Sequence, residues 1–430
     1  DRWFCSPSNH RVHHAVNDAY LDKNYGGILI LWDRIFGTFK DEDDKEKCVY
    51  GTRGLLNSWD PLWANAQVYA GLAHDSWHTR RWGDKLRVWL KPPGWRPADV
   101  AQRFPKPAFD IARMPRYNPA MTPATRWFAS VQFVLLLAGV SVFLWHADSA
   151  PLAHNTAWFA ALLATQWALG AVVQGRISML LALMIEAGAL ATATSAVGWT
   201  EWHLVFKPLT MVIAIILVAA CALSISARGR FDAKPWVTMV LALVLSLAGD
   251  VFLMLHGLFI PGLVSFLGAH LAYIALFRLG VPWFARRGAL VATLAVGTAM
   301  YAFLWAGGLP AALRGPVAAY VLVIALMAAQ ALGRARALGT SAARMVAVGA
   351  CLFMVSDSLL ATSRFVQPLP MAQFWVLSTY YAAQVLIVWG WLREPVSAPA
   401  DAAPRVDAPE GMQATHALLD HRRAVPNRPV

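Results

Sequence analysis

The chain of 430 residues is 57% hydrophobic and only 14% charged, with a mean hydropathy of +0.45. So much apolar surface could not all be buried from water inside one soluble globule, which excludes an ordinary soluble protein. The formal charge of +12 accompanies no nucleic-acid-binding motif. We therefore attribute it to basic loops at an anionic lipid surface and expect the membrane, and no nucleic acid, as a partner.

The segment 1–126 is mostly polar and contains no clear membrane-spanning stretch. Near its start, His10, His13 and His14 are spaced i, i+3 and i+4, so their imidazoles share one face of a helix. Such a face suits joint metal ligation. The alternative is a histidine-rich surface turn, and composition alone does not separate the two interpretations.

Two strings follow the histidines: Asp-Lys-Asn-Tyr-Gly-Gly from Asp22 and Trp-Asp-Arg-Ile-Phe-Gly-Thr-Phe from Trp32. With the histidines they resemble the last histidine cluster of the membrane fatty acid hydroxylase and sterol desaturase superfamily, and look most like alkylglycerol monooxygenase. The resemblance implies a di-iron centre built from three histidine clusters, of which this sequence has only the third. An incomplete ligand set should not hold two irons, so we expect the oxygenase half to be inactive here. Because the chain opens on Asp1, directly on motif-dense sequence, we interpret it as an N-terminally truncated piece.

Beyond Arg126, ten apolar runs approach the roughly 20 residues that span a bilayer as a helix. The predicted runs are 127–147, 157–174, 177–198, 204–226, 236–256, 258–279, 287–307, 314–333, 344–363 and 372–392. Basic residues concentrate in every second connecting loop, which predicts that both termini are cytoplasmic, and we expect a bacterial inner membrane. The sequence thus predicts an all-α, polytopic membrane helix bundle of about ten transmembrane helices. A proline-rich, disordered tail is predicted for 394–430.

Two of these runs carry a carboxylate, Asp250 and Asp357. A carboxylate at a helix centre costs roughly 2.5–3.5 kcal/mol or more to insert, so each is a functional-site hypothesis by default. The alternative is an aspartate that hydrogen-bonds a neighbouring helix and only fixes packing. At about 1.5 Å per residue, both lie about 9 Å below the outer ends of their predicted helices.

Further polar residues lie toward the outer half of the predicted membrane, namely Lys207, His270, Tyr320 and Tyr380. Convergence of such groups from six helices predicts a site between bundle helices. Tyr273 and Tyr381 are interpreted as packing residues. Glu186, a third membrane carboxylate, stays open between a site residue and a packing residue.

Five strings carry a second resemblance: Phe206-Lys-Pro-Leu-Thr, Leu247-Ala-Gly-Asp-Val-Phe-Leu-Met-Leu, Ala269-His-Leu-Ala-Tyr, Val355-Ser-Asp-Ser-Leu-Leu and Tyr380-Tyr-Ala-Ala-Gln. Over about residues 178–393 they resemble the integral-membrane lysoplasmalogenase family. The resemblance implies an eight-helix hydrolase, without a cofactor, that cleaves the vinyl ether of lysoplasmalogens to a fatty aldehyde and a glycerophospho-base. The expected domains are a hydroxylase-like fragment at 1–126, linked transmembrane helices at 127–177, the hydrolase at 178–393, and the tail.

A vinyl ether hydrolyses by protonation at carbon, which gives an oxocarbenium ion that water captures. One acid and one base suffice, and Asp250 and Asp357 are the catalytic candidates without a decision on which is which. Lys207 is expected to hold the lipid phosphate, and Tyr320 and Tyr380 to donate hydrogen bonds. The predicted substrate-binding residues are Lys207, His270, Tyr320, Tyr380 and Gln384.

Two other functions compete. Intramembrane carboxylates also fit a proton-coupled lipid transporter, although no clear pair of broken helices stands in corresponding positions. An oxygenase with a non-catalytic membrane anchor is the second alternative, and it leaves Asp250 and Asp357 unexplained. An oxygenase segment fused to a vinyl-ether hydrolase would join two steps of ether-lipid breakdown, whereas an accidental fusion would carry no such meaning.

Overall fold

The computed structural model describes residues 2–54, 56–92, 94–106, 109–113, 117–227 and 231–394. In these residues regular structure is helical, and strand pairing is limited to two isolated bridges. The polar N-terminal part holds five shorter helices: α1 Pro7–His13, α2 Leu31–Phe36, α3 Pro61–His78, α4 Trp82–Leu90 and α5 Ala98–Arg103. Ten longer helices follow: α6 Pro123–His146, α7 Leu152–Val173, α8 Met179–Ala196, α9 Thr200–Ser226, α10 Ala233–Met254, α11 Phe259–Arg278, α12 Arg287–Ala306, α13 Ala311–Leu338, α14 Ser341–Phe365 and α15 Ala372–Leu392.

Each of the ten predicted apolar runs corresponds to one of these long helices. Within the described ranges, nine of them, α6 to α14, are long and apolar enough to cross a membrane. The tenth, α15, carries Ser378, Thr379, Tyr380, Tyr381 and Gln384, which lower its mean hydropathy. The last three are buried inside the bundle, where a polar group can find partners. The predicted class, an all-α polytopic membrane protein, is confirmed.

Local sequence sets several helix boundaries. At the N-cap, the residue just before a helix, a side-chain oxygen accepts a hydrogen bond from a backbone N–H of the first turn. Ser178 caps α8 in this way and Thr340 caps α14. Thr122 caps α6, and Pro123 follows at the first helical position, where its missing N–H costs nothing. Gly339 ends α13 with φ of 67°, a left-handed conformation that glycine adopts without strain. These stops place Gly339 and Thr340 in a connection too short for anything but an antiparallel helix pair.

Seven of the long helices close a ring. In order around it, α8, α9, α10, α11, α13, α14 and α15 each pack on the next, and α15 packs back on α8. Helix α12 lies outside the ring against α13 and α14, and α7 packs on the outer side of α8 with α6 beyond it. The buried core therefore lies inside the ring, and side chains from non-sequential helices meet there.

The N-terminal part and α6 are attached to this bundle by polar contacts. Gln132 on α6 donates a 2.7 Å hydrogen bond to Glu186 on α8, and both residues are buried. Gln174, just after α7, donates a 2.9 Å hydrogen bond to Ser58. Asp60 packs against Gly170 near the same end of α7. The N-terminal part thus contacts the end of the bundle where α7 ends and α8 begins.

The predicted tail at 394–430 lies outside the described residues except for its first residue. Glu394 accepts a 3.1 Å hydrogen bond from Nε of buried Arg334 at the end of α13. The helical bundle therefore includes Glu394 in its packing.

Close approach of α14 and α15 depends on glycine. A Cβ added at Gly349 would lie 2.8 Å from the carbonyl oxygen of Ala383, nearer than packed atoms tolerate. We expect Gly349→Ala to destabilise the fold by about 1–3 kcal/mol through overpacking. Gly288→Ala on α12 is the matched control, because no atom lies within 4 Å of its added Cβ. The loss of monodisperse detergent-solubilised protein on heating measures both. An equal midpoint for the two variants would contradict the tight contact.

Candidate active site

The ring and α12 together enclose a cavity of about 440 Å³. Its lining residues come largely from one end of the bundle, the end at which α8, α10, α12 and α14 finish and α9, α11, α13 and α15 begin. Most of the wall is apolar, with Leu253, Leu263, Phe266, Met300 and Leu304 among its residues. Both predicted catalytic carboxylates, Asp250 and Asp357, lie on this wall. The predicted convergence of membrane carboxylates in one cavity is therefore present.

Asp250 sits in a buried polar cluster at the junction of α9, α10 and α15. The Lys207 ammonium lies 3.4 Å from its Oδ1, and the Tyr380 hydroxyl donates a 2.7 Å hydrogen bond to its Oδ2. Gly249 precedes it and leaves room for the Phe266 ring, which a Cβ there would meet at 2.6 Å. The carboxylate thus faces one cation and accepts a hydrogen bond from one phenol.

Asp357 has a different set of partners, on α11 and α13. The Tyr320 hydroxyl donates a short hydrogen bond to its Oδ2, and the same hydroxyl lies 2.9 Å from Nε2 of His270. His270 is fully buried, and its Nε2 is 3.7 Å from the carboxylate oxygen. Since a hydroxyl can donate and accept at once, His270, Tyr320 and Asp357 form a chain along which a proton can move.

A second chain of hydrogen bonds leads through Gln384 and Tyr380 to Asp250. Tyr273 donates a 2.7 Å hydrogen bond to Oε1 of Gln384, and Nε2 of Gln384 lies 3.4 Å from the Tyr380 oxygen. Gln384, predicted to bind substrate, is fully buried and does not line the cavity, so it orients Tyr380 instead. Tyr273, interpreted from sequence as a packing residue, belongs to this polar chain.

The common depth predicted for the two aspartates does not hold in detail. Helix α10 ends at Met254, earlier than the predicted 256, and α14 ends at Phe365, later than the predicted 363. At about 1.5 Å per residue, Asp250 is about 6 Å and Asp357 about 12 Å from its helix end. The ends move because turn geometry, which apolar runs do not encode, sets where each helix stops.

The phosphate-binding role predicted for Lys207 finds no support in its surroundings. Its ammonium is buried and already faces Asp250, so its charge is opposed before any lipid binds. Sequence reasoning also missed Arg364, His203 and Thr200, which line the cavity. Helical spacing could have found them, because Arg364 is seven residues after Asp357 and His203 four before Lys207.

Comparison with known proteins bears on this cavity. Residues 202–391, which include every aspartate, tyrosine, histidine and lysine of the two clusters, match the sequence model of the YhhN family. The chain contains a YhhN family domain. It is also 38% identical over 155 residues to lysoplasmalogenase TMEM86B of Homo sapiens, covering 36% of this chain and 63% of that protein.

A second group of relatives carries another name. The chain is 37% identical over 134 residues to alkylglycerol monooxygenase of Xenopus tropicalis, covering 31% of this chain and 30% of that protein. Its Homo sapiens counterpart is 34% identical over the same length. The chain spans about a third of the length of these relatives and under two thirds of the lysoplasmalogenase. No solved structure matches it significantly. Both resemblances predicted from the motifs are confirmed.

Glu186, the third membrane carboxylate, lies just outside the YhhN domain match. Its Oε2 accepts the hydrogen bond from Gln132, and it does not line the cavity. In the described part of the chain its Oε1 has no hydrogen-bond partner. This position favours the packing interpretation of Glu186 over the catalytic one.

The predicted metal ligands His10, His13 and His14 lie together on an exposed surface of the N-terminal part. Helix α1 carries His10 and His13, and His14 caps its end, so the ring centroids are 4.6–5.9 Å apart. Nε2 of His14 lies 3.1 Å from Nε2 of His10. The described residues nevertheless contain no group of three or more His, Cys, Asp or Glu placed to hold a metal ion. The residues present therefore do not fit a di-iron centre.

Helix α1 is held in place by an ion pair. Arg11 Nε lies 2.9 Å from Oε2 of Glu42, and the Ser8 hydroxyl donates a 2.7 Å hydrogen bond to the same oxygen. Hydrogen bonding by Arg11, then by Ser8, lowers the pKa of Glu42 to about 2. The carboxylate therefore stays charged, and the contact is kept, throughout the neutral and mildly acidic range.

One carboxylate joins the two sequence motifs after α1, the one that begins at Asp22 and the one that begins at Trp32. Buried Asp33 accepts 2.7 Å hydrogen bonds from the backbone N–H groups of Tyr25 and Gly26, and one of 2.6 Å from the Thr38 hydroxyl. Burial alone would raise the pKa of Asp33, but these three hydrogen bonds lower it. The strings thus encode one local fold around Asp33, which explains their composition without a catalytic role.

Proposed function

We propose that the YhhN domain is an integral-membrane hydrolase that cleaves the vinyl ether of lysoplasmalogens to a fatty aldehyde and a glycerophospho-base. The observation that carries the proposal is the pair of carboxylates, Asp250 and Asp357, each hydrogen-bonded by a buried tyrosine and facing one largely apolar cavity. The name of the lysoplasmalogenase relative supports the substrate class. An apolar wall suits the alkenyl chain, and the carboxylates suit acid–base chemistry at the ether.

Asp357 is the proton donor in this proposal. Its carboxyl proton goes to the second carbon of the alkenyl chain, the double-bond electrons form the new C–H bond, and positive charge develops at the first carbon and the ether oxygen. Asp357 is partly exposed to the cavity, so the substrate can reach it. Tyr320, which is also hydrogen-bonded to His270, stabilises the Asp357 carboxylate that remains after the proton has left.

Asp250 is the charged partner. The Lys207 ammonium at 3.4 Å stabilises its carboxylate, and Tyr380 fixes its orientation. A carboxylate in that place stabilises the oxocarbenium ion and accepts a proton as water adds to the first carbon. The hemiacetal then breaks at the bond between the first carbon and the ether oxygen. The proton held by Asp250 passes to the ether oxygen, which leaves as the glycerol hydroxyl, and the hemiacetal hydroxyl gives its proton to Asp357 as the aldehyde forms. One water is consumed, and no electrons are exchanged.

The deciding experiment offers purified protein a lysoplasmalogen in D₂O, with and without oxygen, and traps the aldehyde by reduction. Protonation at carbon places one deuterium on the second carbon, and hydrolysis proceeds equally without oxygen. The matched saturated ether lysophospholipid should release nothing. Aldehyde that appears only with oxygen would favour the oxygenase alternative. Absence of aldehyde from any lipid, with transport of one in proteoliposomes, would favour the carrier.

For the N-terminal part we propose an ether-lipid oxygenase origin, supported by the alkylglycerol monooxygenase relatives and the histidine cluster. We place it and both termini on the cytoplasmic side, since Arg176, Lys234 and Arg286 mark the loops at that end of the bundle. The YhhN cavity then faces the opposite side of the membrane. Two ether-lipid enzymes on this chain would share substrate supply or aldehyde disposal.

Iron analysis tests the N-terminal proposal. The purified chain, loaded anaerobically with ferrous iron and desalted, should retain well under two irons, because His10, His13 and His14 form only one cluster. Metal content by plasma mass spectrometry gives the stoichiometry. Retention of two irons per chain would mean that further ligands assemble around the cluster.

A further inference from the structure

The charged groups that line the YhhN cavity lie at different depths, some buried and one exposed. In the described part of the chain, the lysine and arginine side chains that line it are Lys207 and Arg364. Lys207 is buried and opposed by Asp250. Arg364 lies in the last turn of α14, is exposed, and has no carboxylate within ion-pair distance in the described ranges. The Arg364 guanidinium, without a carboxylate partner in the described ranges, therefore lies at the exposed opening of the cavity. Asp250 and Asp357 lie deeper in the cavity.

Aromatic rings hold Arg364 in place without using its hydrogen-bond donors. Its guanidinium carbon lies 4.2 Å from the Phe259 ring centroid and 6.0 Å from that of Phe365. Stacking on a ring face leaves the edge N–H groups available, and the planar fork matches the oxygens of a phosphate. Phe259 and Phe365 line the same cavity, so the guanidinium is fixed over its opening.

Helical spacing gives the height of Arg364 above the reacting group. Asp357 and Arg364 are seven residues apart on α14, which places them on one face, about 10 Å apart along the axis. In a lysoplasmalogen, six bonds separate the first alkenyl carbon from phosphorus. At about 1.2 Å per bond in an extended chain this is about 7 Å, and a charge-assisted hydrogen bond adds about 2.8 Å. The rise between the two backbone positions and the length of this part of the substrate are therefore of the same order, about 10 Å.

We propose that Arg364 binds the phosphate of the lysophospholipid at the cavity mouth and so sets which ether lipids are cleaved. The inference rests on the proposed vinyl-ether hydrolase and adds the specificity-determining residue. Binding there holds the glycerol between mouth and floor and brings the vinyl ether to Asp357. A phosphate source other than the substrate is a bulk membrane lipid, which an interfacial arginine can also contact.

Kinetics with two substrates show whether Arg364 binds the phosphate of the substrate or that of a bulk membrane lipid. The substrates are an alkenyl-glycerophosphoethanolamine and the matched alkenylglycerol, which has the same vinyl ether and no phosphate. We expect Arg364→Gln to raise KM for the phospholipid about 10- to 100-fold, the usual worth of a hydrogen bond to a charged group, with kcat nearly unchanged. KM for the alkenylglycerol should not change. Arg364→Lys keeps the charge without the fork and should fall between.

Arg314→Gln is the matched control. Arg314 lies near the same end of the bundle and stacks on Trp305 at 4.0 Å, yet does not line the cavity. It should leave both KM values unchanged. If Arg364→Gln weakens cleavage of both lipids equally, or Arg314→Gln has the same effect, the phosphate site is wrong while the hydrolase stands. If the wild type releases aldehyde from neither lipid, the hydrolase proposal itself fails and the inference with it.

Discussion

Asp250→Asn and Asp357→Asn should each lower the rate of aldehyde release by about 10²- to 10⁴-fold, the usual contribution of a positioned acid or base. Asparagine keeps the shape and one oxygen acceptor, so Tyr380 or Tyr320 retains a hydrogen-bond partner. It cannot deliver or take up a proton. The measurement is kcat for lysoplasmalogen with detergent-solubilised protein, after size-exclusion chromatography shows that each variant is monodisperse.

Glu186→Gln is the control for placing an amide at a buried membrane carboxylate. Glu186 is buried like Asp250, but it hydrogen-bonds Gln132 and does not line the cavity. We expect its kcat to stay within a few-fold of the wild type, because glutamine preserves an oxygen acceptor for that contact. Near-normal turnover by either aspartate variant would rule out the paired-carboxylate mechanism. A loss in Glu186→Gln as large as theirs would show that any buried amide disturbs the bundle.

The long helices could be predicted because their physical cause lies in each segment alone. A bilayer needs about 20 apolar residues per helix, so length and hydropathy gave all ten. Helix α15 shows the limit of this argument. Its run was recognisable, but Tyr380, Tyr381 and Gln384 make it less apolar than a lipid-facing span. Its place in the ring depends on packing against α8 and α14, which its own sequence does not state.

The sequence predicts which residues belong to the site, but not which of them bond to each other. An intramembrane carboxylate is costly enough to single out Asp250 and Asp357 from sequence. Helix α15 packs beside α14, which carries Asp357, yet Tyr380 on α15 reaches across the inside of the ring to Asp250 on α10. This pairing depends on how the whole ring closes, through contacts such as α11 against α13 and α15 against α8 that join helices not adjacent in sequence. For the same reason Lys207 was assigned to a phosphate rather than to Asp250, from which it is 43 residues away in sequence.

Helical periodicity relates a further residue of the cavity to Asp357. Arg364 is not among the predicted site residues, although its spacing from Asp357 places both on one face of α14. In the N-terminal part the same reasoning worked, since His10, His13 and His14 do converge. It could not show whether other ligands complete the group, because those would come from elsewhere in a fold.

Tyr320→Phe should lower kcat for lysoplasmalogen by about 10- to 100-fold while KM stays near the wild-type value, since a hydrogen bond to a charged group is lost. Tyr320 contacts the Asp357 carboxylate and His270, so it acts on proton transfer more than on lipid binding. Arg364→Gln should show the opposite split, in KM. Tyr301→Phe is the matched control, because it also removes a tyrosine hydroxyl, but one that hydrogen-bonds the backbone carbonyl of Arg314 and belongs to a residue that does not line the cavity. It should cost a few-fold at most.

A double-variant cycle then tests whether Tyr320 works through Asp357. If it does, adding Tyr320→Phe to Asp357→Asn should cause little further loss, because the carboxylate that Tyr320 serves is already gone. Adding it to Arg364→Gln should multiply the two effects, since those residues are on different helices and act on different steps. Full additivity of Tyr320→Phe with Asp357→Asn would mean that Tyr320 acts on the substrate directly. The hydrogen-bonded chain from Tyr320 to His270 would then have no part in proton transfer at Asp357.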